Sequence, residues 1–439
     1  MRTQKLRRML TICVVLLLVS AVSFAAGQKE DSPKGKVTLT LLSHSVHENV
    51  ARGTVAGTTG GDIVGEWAER NNVNIVWITA GIDPVHERLY RELALKESSI
   101  DIAFIIDKYV DPRLTSQLEP LDPYLAKSPI EDLAEIPENL LIATKYKGNL
   151  IAIPYRHSLG GLHWNEVLFN ERGLTRPPKT AKEIFEYSKQ LTYKRADGTE
   201  VTGLVANFGE GYASIYRFLA DYGAKLFTVD EDGKVTITAD TPEMIQGLTD
   251  LATLYKAKAV PSNFATITID DQNAMITTGR AAMAFGPFAR YTVYNNPDVS
   301  EFPGSIKVTK HVDIDEHTPS DQIMEIWSMA IPKNSKNKDL AWDLIRELSS
   351  KENTVRAALN GNSPVRPSTY VDPRVLELYP WKIDEAEALK NATVLPAFDN
   401  SLEAWTIFQE ESQSAVIGAK SVQDAVKSLQ TRLEKLLNK

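Results

Sequence analysis

Cysteine is almost missing from this chain. Its 439 residues hold a single one, Cys13, inside an apolar run near the N-terminus. Everything beyond that run is therefore expected to work without disulfides or thiolate chemistry. Histidine is scarce too, and only His44 and His47 stand close enough to suggest paired metal ligands. A closed metal site needs three or four ligands, and the other five histidines show no companion spacing, so no metal is expected. The glycine-rich "GTVAGTTGGD" (53–62) is not followed by Gly-Lys-Ser/Thr. It is thus no phosphate loop, and a flexible insertion is expected there. G-x-S-x-G and H-E-x-x-H are absent, and no Ser, His and Asp stand in a recognisable triad setting. No cofactor is implied. Nothing repeats along the chain, which argues against a pure interaction or adhesion module.

Residues 1–26 stand apart from the rest. Arg2, Lys5, Arg7 and Arg8 precede the apolar run Met9–Val22, and small residues follow in "SFAAG". This is the layout of an export signal, with cleavage expected after Ala25 or Ala26. The run is short for a membrane-spanning helix, which needs about 20 residues. Gly27 and Gln28 stand where a lipoprotein would carry its cysteine, so an unlipidated, extracytoplasmic, soluble product is expected. Setting aside these four basic residues, with no acidic ones among them, moves the net charge from −8 to −12. An acidic chain of this kind argues against nucleic acid or an anionic membrane as partner.

Beyond the signal, "GQKEDSPKGK" (27–36) reads as a flexible leader. Strand and helix patterns then alternate: strand 37–43, helix 62–71, strand 73–78, helix 84–98, strand 100–106. The nearly continuous apolar strands predict an α/β fold with mainly parallel sheets covered on both faces. Two short strands, 151–155 and 161–165, flank "RHSLG". Thr180-Ala-Lys-Glu183 and Ser421-Val-Gln-Asp424 read as capping boxes, and Thr241–Pro242 opens another helix. Asp232–Gly233 predicts a hairpin turn. A final helix carries the stripe Val422, Ala425, Val426, Leu429, Leu433 and Leu436.

Several stretches, in order, carry a resemblance. "IDIAFIID" and "LEPLDPYL" come first, then "NLIAIPY" with "LHWNEVLFNERGLTRPPKTAKEIFEYSKQLT". "AKLFTVDEDGKVTITADTPE", "GRAAMAFGPF" and "WSMAIPKNSKNKDLAWDLIREL" complete the series. Together they resemble the family 1 extracellular solute-binding proteins, the binding subunits of ATP-driven importers, mostly for sugars. Three departures are visible: Phe288 stands where the family carries Trp, 44–60 is longer than usual, and the lipoprotein cysteine is absent.

The resemblance implies a two-lobed periplasmic-binding-protein fold with the ligand in the cleft between lobes. Lobe 1 is expected over 33–156 plus 330–372 and lobe 2 over 158–326 plus 376–439. The matched motifs place hinge crossings near 155–160, 326–331 and 371–380. The implied function is capture of a saccharide by a monomer and its delivery to an ABC permease. Polyols, glycerol phosphodiesters and polyamines are alternative cargoes. A secreted glycan-active enzyme is the rival class, since abundant carboxylates could supply a pair about 5–10 Å apart.

Sugar recognition calls for aromatic rings against the ring face and carboxylates, amides or arginine at the hydroxyl rim. The candidates are Phe288 on its Gly-Pro turn, Trp405, Trp327, Tyr212 and Glu210. Strand ends and crossings add Asp107, Ser43, His44, Arg156, His157 and Arg366.

Overall fold

The computed structural model describes residues 36–438 apart from 56, 111, 211, 230–233, 396 and 397. The expected signal, all but the last residue of the leader and the Asp232–Gly233 turn lie outside the described residues. The strands flanking that turn, Phe227–Val229 and Val235–Ile237, pair antiparallel.

Two five-stranded sheets organise the chain from Thr38 onward. The first has the order Val73–Thr79, Val37–Ser43, Ile102–Ile106, Ile326–Ala330, Ile153–His157. Strands 102–106 and 326–330 are buried along their whole length, as an apolar run such as "IAFII" requires. The second sheet has the order Ile306–Lys310, Gly160–Asn165, Ala281–Pro287, Glu200–Val205, Tyr193–Lys194.

The sheets are mixed rather than mainly parallel. Strands 37–43 and 102–106 are parallel, as are 200–205 and 281–287. Strand 326–330, however, runs antiparallel to both 102–106 and 153–157, and 160–165 runs antiparallel to 281–287. The reason is the crossings. A chain entering one sheet from the other arrives at the end where the local strands finish, so it must run against them.

The first crossing is Ser158–Leu159, between strands of different sheets. At the second, Glu325 separates strand Gln322–Met324 from 326–330. Strand 322–324 pairs with Ala392–Val394, and the chain rejoins the second core at Leu395 and Phe398. That return lies later than the expected 371–380. That range instead holds the short helix Pro373–Leu378, which lies between the helices Pro367–Tyr370 and Lys382–Leu389. These helices and their flanking residues supply Val375, Tyr379, Trp381 and Ala388 to a third apolar cluster, which also holds Leu159, Phe288, Val308 and Ile326. Elements from both sheets therefore share one core.

Helix boundaries follow side-chain caps. Thr180 accepts from Glu183 N, Thr241 from Met244 N and Ser421 from Asp424 N. The Glu183 carboxylate turns to Arg176 and Lys179 N rather than back to Thr180, so that capping box is half-formed. The helix expected over 84–98 spans Ile82–Leu93, and Glu92 turns onto Ser99. The 44–60 stretch is built rather than loose. Ser45–Arg52 is a helix capped by His44, and Asn360 bonds Val50 O, Gly60 N and Gly61 O. A Cβ at Gly60 would lie 1.9 Å from Arg356 O, which explains glycine at this position. Among the described residues no helix is long and apolar enough to cross a membrane.

Candidate functional site

Strands 37–43, 102–106 and 153–157 finish at the same end of the first sheet, where 326–330 begins. Ser43 and His44, Asp107, and Arg156 and His157 therefore gather at one rim. Trp327 stands between them, opposite Ile106 on one side and Arg156 on the other. Strands 200–205 and 281–287 finish toward the crossing in the second sheet, where Pro287 faces Gly160. Phe288 N donates to Leu159 O, and Arg217 reaches Ser158 O. The carboxyl ends of both sheets thus converge on Ser158–Leu159, the position at which open α/β sheets hold ligands.

The first rim is aromatic with polar edges. The His47 ring is fully buried between Phe104, at 4.7 Å, and Trp327, at 4.6 Å. Burial, then the charge of Arg156, holds its pKa well below the usual imidazole range. His86 stacks on Tyr109 at 4.0 Å and accepts from Ile106 N, while its Nδ1 faces Ile82 O at 2.7 Å. Burial lowers its pKa to about 4, so it is neutral at physiological pH. His44, half-buried, lies 6.4 Å from Trp327 between ring centroids, and its Nδ1 accepts from Val46 N.

Asp107 accepts from Ile326 N at 2.7 Å and so ties a strand end to the second crossing. Burial, with the nearby Glu325 charge, pushes its pKa up to about 8. At neutral pH it is mostly a protonated carboxyl. A groove of about 490 Å³ runs past it, lined by Val110, Asn139, Lys145 and Thr393 among others.

A model of the family described as bacterial extracellular solute-binding protein matches residues 54–355. The chain belongs to this family. A probable ABC transporter-binding protein of Deinococcus radiodurans is 24% identical over 386 residues, covering 86% of each chain. The maltose-bound MalE3 of T. maritima superposes with TM-score 0.75 at 20% identity, covering 91% of this chain and all of the other. A solute-binding protein of Agrobacterium radiobacter K84, solved with ribitol, gives TM-score 0.76 at 21% identity, covering 92% and 100%. The two-lobed fold follows, and with the family comes the function: an extracytoplasmic protein that captures a small solute for an ABC transporter.

Within this solute-binding protein the expected contact residues divide. Trp327, His44, Arg156 and Asp107 meet at the first rim, and Tyr212 stands on the second. Phe288 is fully buried, parallel to Trp381 at 6.1 Å, so it is core rather than an open stacking platform. Trp405 is 2% exposed, with one face covered by Tyr212 at 4.3 Å and its edges enclosed by Tyr216, Phe227 and Phe408. Tyr212, not Trp405, is the outer ring of that stack. Glu210 is exposed and accepts from Ile269 N, closing a helix start.

Ser43 is buried and donates to His44 O. His157 bonds Tyr370 Oη at 2.5 Å and accepts from Leu159 N, which pins the crossing rather than facing a solute. Arg366 is 1% exposed and is consumed by Ser349 O, Glu131 O, Asp132 O and Glu135. Rim residues that sequence reasoning did not single out are Tyr109, His86 and Arg217. Tyr109 had a legible signal, since it follows Asp107 by two residues in the same strand-end loop.

Proposed function

We propose that the captured solute is a saccharide or related polyhydroxylated compound, held where the carboxyl ends of the two sheets converge. The observation that carries this reading is the rim composition. Trp327, Tyr109 and Tyr212 offer apolar rings, and Asp107, His44 and Arg156 offer donors and acceptors around them. The maltose and ribitol complexes of the structural relatives support it. Polyamines fit poorly, because the rim carries more unpaired arginine than free carboxylate.

Solute bridging the rims stabilises the closed arrangement, and a membrane permease reads that closure. The crossings at 158–159, 325 and 390–395 act as the hinge. Export proceeds through residues 1–26, and the product works as a soluble monomer that releases its solute unchanged.

A thermal-shift screen of the exported chain against mono-, di- and oligosaccharides, polyols, sugar acids and polyamines tests the reading. A ligand at 100 times its Kd adds about 2.7 kcal/mol to stability, which is easily seen as a rise in Tm. A shift with one hydroxylated series, together with a smaller radius of gyration in solution scattering, is the expected result. A shift with polyamines alone, or recovery of a cleaved product, would overturn it.

A further inference from the structure

The other buried cations among the described residues are paired. Lys382 contacts Glu385 at 2.7 Å and Asn362 O at 3.1 Å, and Arg366 is saturated by backbone and carboxylate oxygens. Two buried arginines around the first crossing break that rule, and a partly buried third joins them.

Arg156, 9% exposed, makes one long bond, Nη1 to Asn362 Oδ1 at 3.4 Å. Arg217, 7% exposed, reaches only Ser158 O at 3.5 Å, and its buried Nε has no partner among the described residues. Arg290 opens the short helix Arg290–Tyr294, two residues after Phe288, whose N–H is bonded to Leu159 O. Its side chain is partly buried and makes no hydrogen bond or ion pair with a described residue. The three side chains come from three elements that meet at the first crossing: Arg217 lies against Gly160 with Glu325 as its charged neighbour, whereas Arg290 lies against Gly286 and its charge bears on Arg156.

The carboxylates nearby do not balance them. Glu385, whose charge bears on Arg156, is shared with Lys382, and Asp221 faces His311 at 3.4 Å. Asp107 is bonded to Ile326 N and carries its proton at neutral pH. Glu325, half-buried, is the one carboxylate left beside Arg217. The charge of Arg290 is felt at His44 and at Arg156, whose pKa values burial already lowers. The result is a locally cationic rim in a chain whose net charge is −8. A guanidinium taken out of water without a counter-ion is costly, and a planar anion that pairs with its fork removes that cost.

We propose that the solute carries a carboxylate or phosphate on its hydroxylated frame, and that Arg156 and Arg290 hold this anion at the first crossing. The inference rests on the receptor reading above and narrows its solute class. A neutral sugar would leave the guanidinium groups desolvated and unpaired.

The test is isothermal titration of the exported chain with matched pairs: galacturonate and galactose, gluconate and sorbitol, glucose 6-phosphate and glucose. The expected result is binding of the anionic member of a pair on the order of a hundredfold tighter than its neutral partner. Preference for the sugar acids marks a carboxylate site, and preference for the phosphate ester marks a phosphate site. Arg290→Gln, on a partly exposed residue, should weaken the anion tenfold or more and leave the Tm of the unliganded protein unchanged. Arg156→Lys keeps a charge while losing the fork, and should weaken binding less than Arg156→Gln. Neutral sugars binding as tightly as their anionic partners, or an anion indifferent to Arg290→Gln, would overturn the inference and leave the receptor reading standing. Binding of a polyamine alone would overturn both.

Discussion

Asp107 shows how much one side chain's protonation can say about a rim. Its folded pKa of about 8 lies above the ordinary carboxylate value of 3.8, with burial as the leading cause. The folded protein therefore keeps a proton that the unfolded chain releases. Stability drawn from this residue is complete below about pH 4 and declines as pH rises through 8. Asp107→Asn holds the same Ile326 N–H without titrating. Urea unfolding at pH 5, 7 and 8.5 should show a wild-type decline that the variant flattens; parallel profiles would contradict this.

Phe288 makes the opposite point. From sequence a ring on a Gly-Pro turn can face solute or core, because both environments favour an aromatic. Trp381, 93 positions away, closes over it, and nothing local in "GPF" signals that partner. Phe288→Ala should cost about 3–5 kcal/mol in denaturant unfolding. A ligand-contact role would instead lower affinity with little loss of stability.

At the scale of elements, periodic patterns and caps were legible and distant ties were not. The 422–437 helix, its Ser421 cap and its buried stripe follow directly from the spacing of Val426, Leu429, Leu433 and Leu436. The buried strand 102–106 follows just as directly from "IAFII". The 44–60 segment looked loose because glycine and threonine carry no periodic signal. It is held by Asn360 and Arg356, 300 and 296 residues away from Gly60. Asn360→Ala removes three bonds to this segment and leaves backbone groups unsatisfied. It should lower stability by roughly 1–3 kcal/mol and speed amide exchange in 50–61. Unchanged exchange there would mean that the helix alone orders the segment.

For the molecule as a whole, the family motifs gave the two-lobed plan, while its strand directions depended on where the chain crosses. Alternating apolar runs reveal that strands exist, but only the crossing topology reverses 160–165 and 326–330. The third apolar cluster, shared by Leu159, Phe288, Val308 and Trp381, binds elements of both sheets into one core. Beside it lies the Lys382–Glu385 pair, both residues at most 1% exposed. Glu385→Gln leaves a buried ammonium short of its counter-charge and should cost about 3–5 kcal/mol. Because the cluster joins both sheets, that loss should move a single unfolding transition rather than split it. Calorimetry resolving two separate transitions would contradict the shared core.

The position of strand 326–330 has a consequence in time. It lies between 102–106 and 153–157, yet it is made about 170 residues after the second of these. Until the ribosome reaches Ala330, the two halves of the first sheet have nothing to bridge them. Such long-range pairing is slow to form in any case. The first sheet therefore stays open through most of the chain's synthesis, which suits a protein whose family does its work on the far side of a membrane.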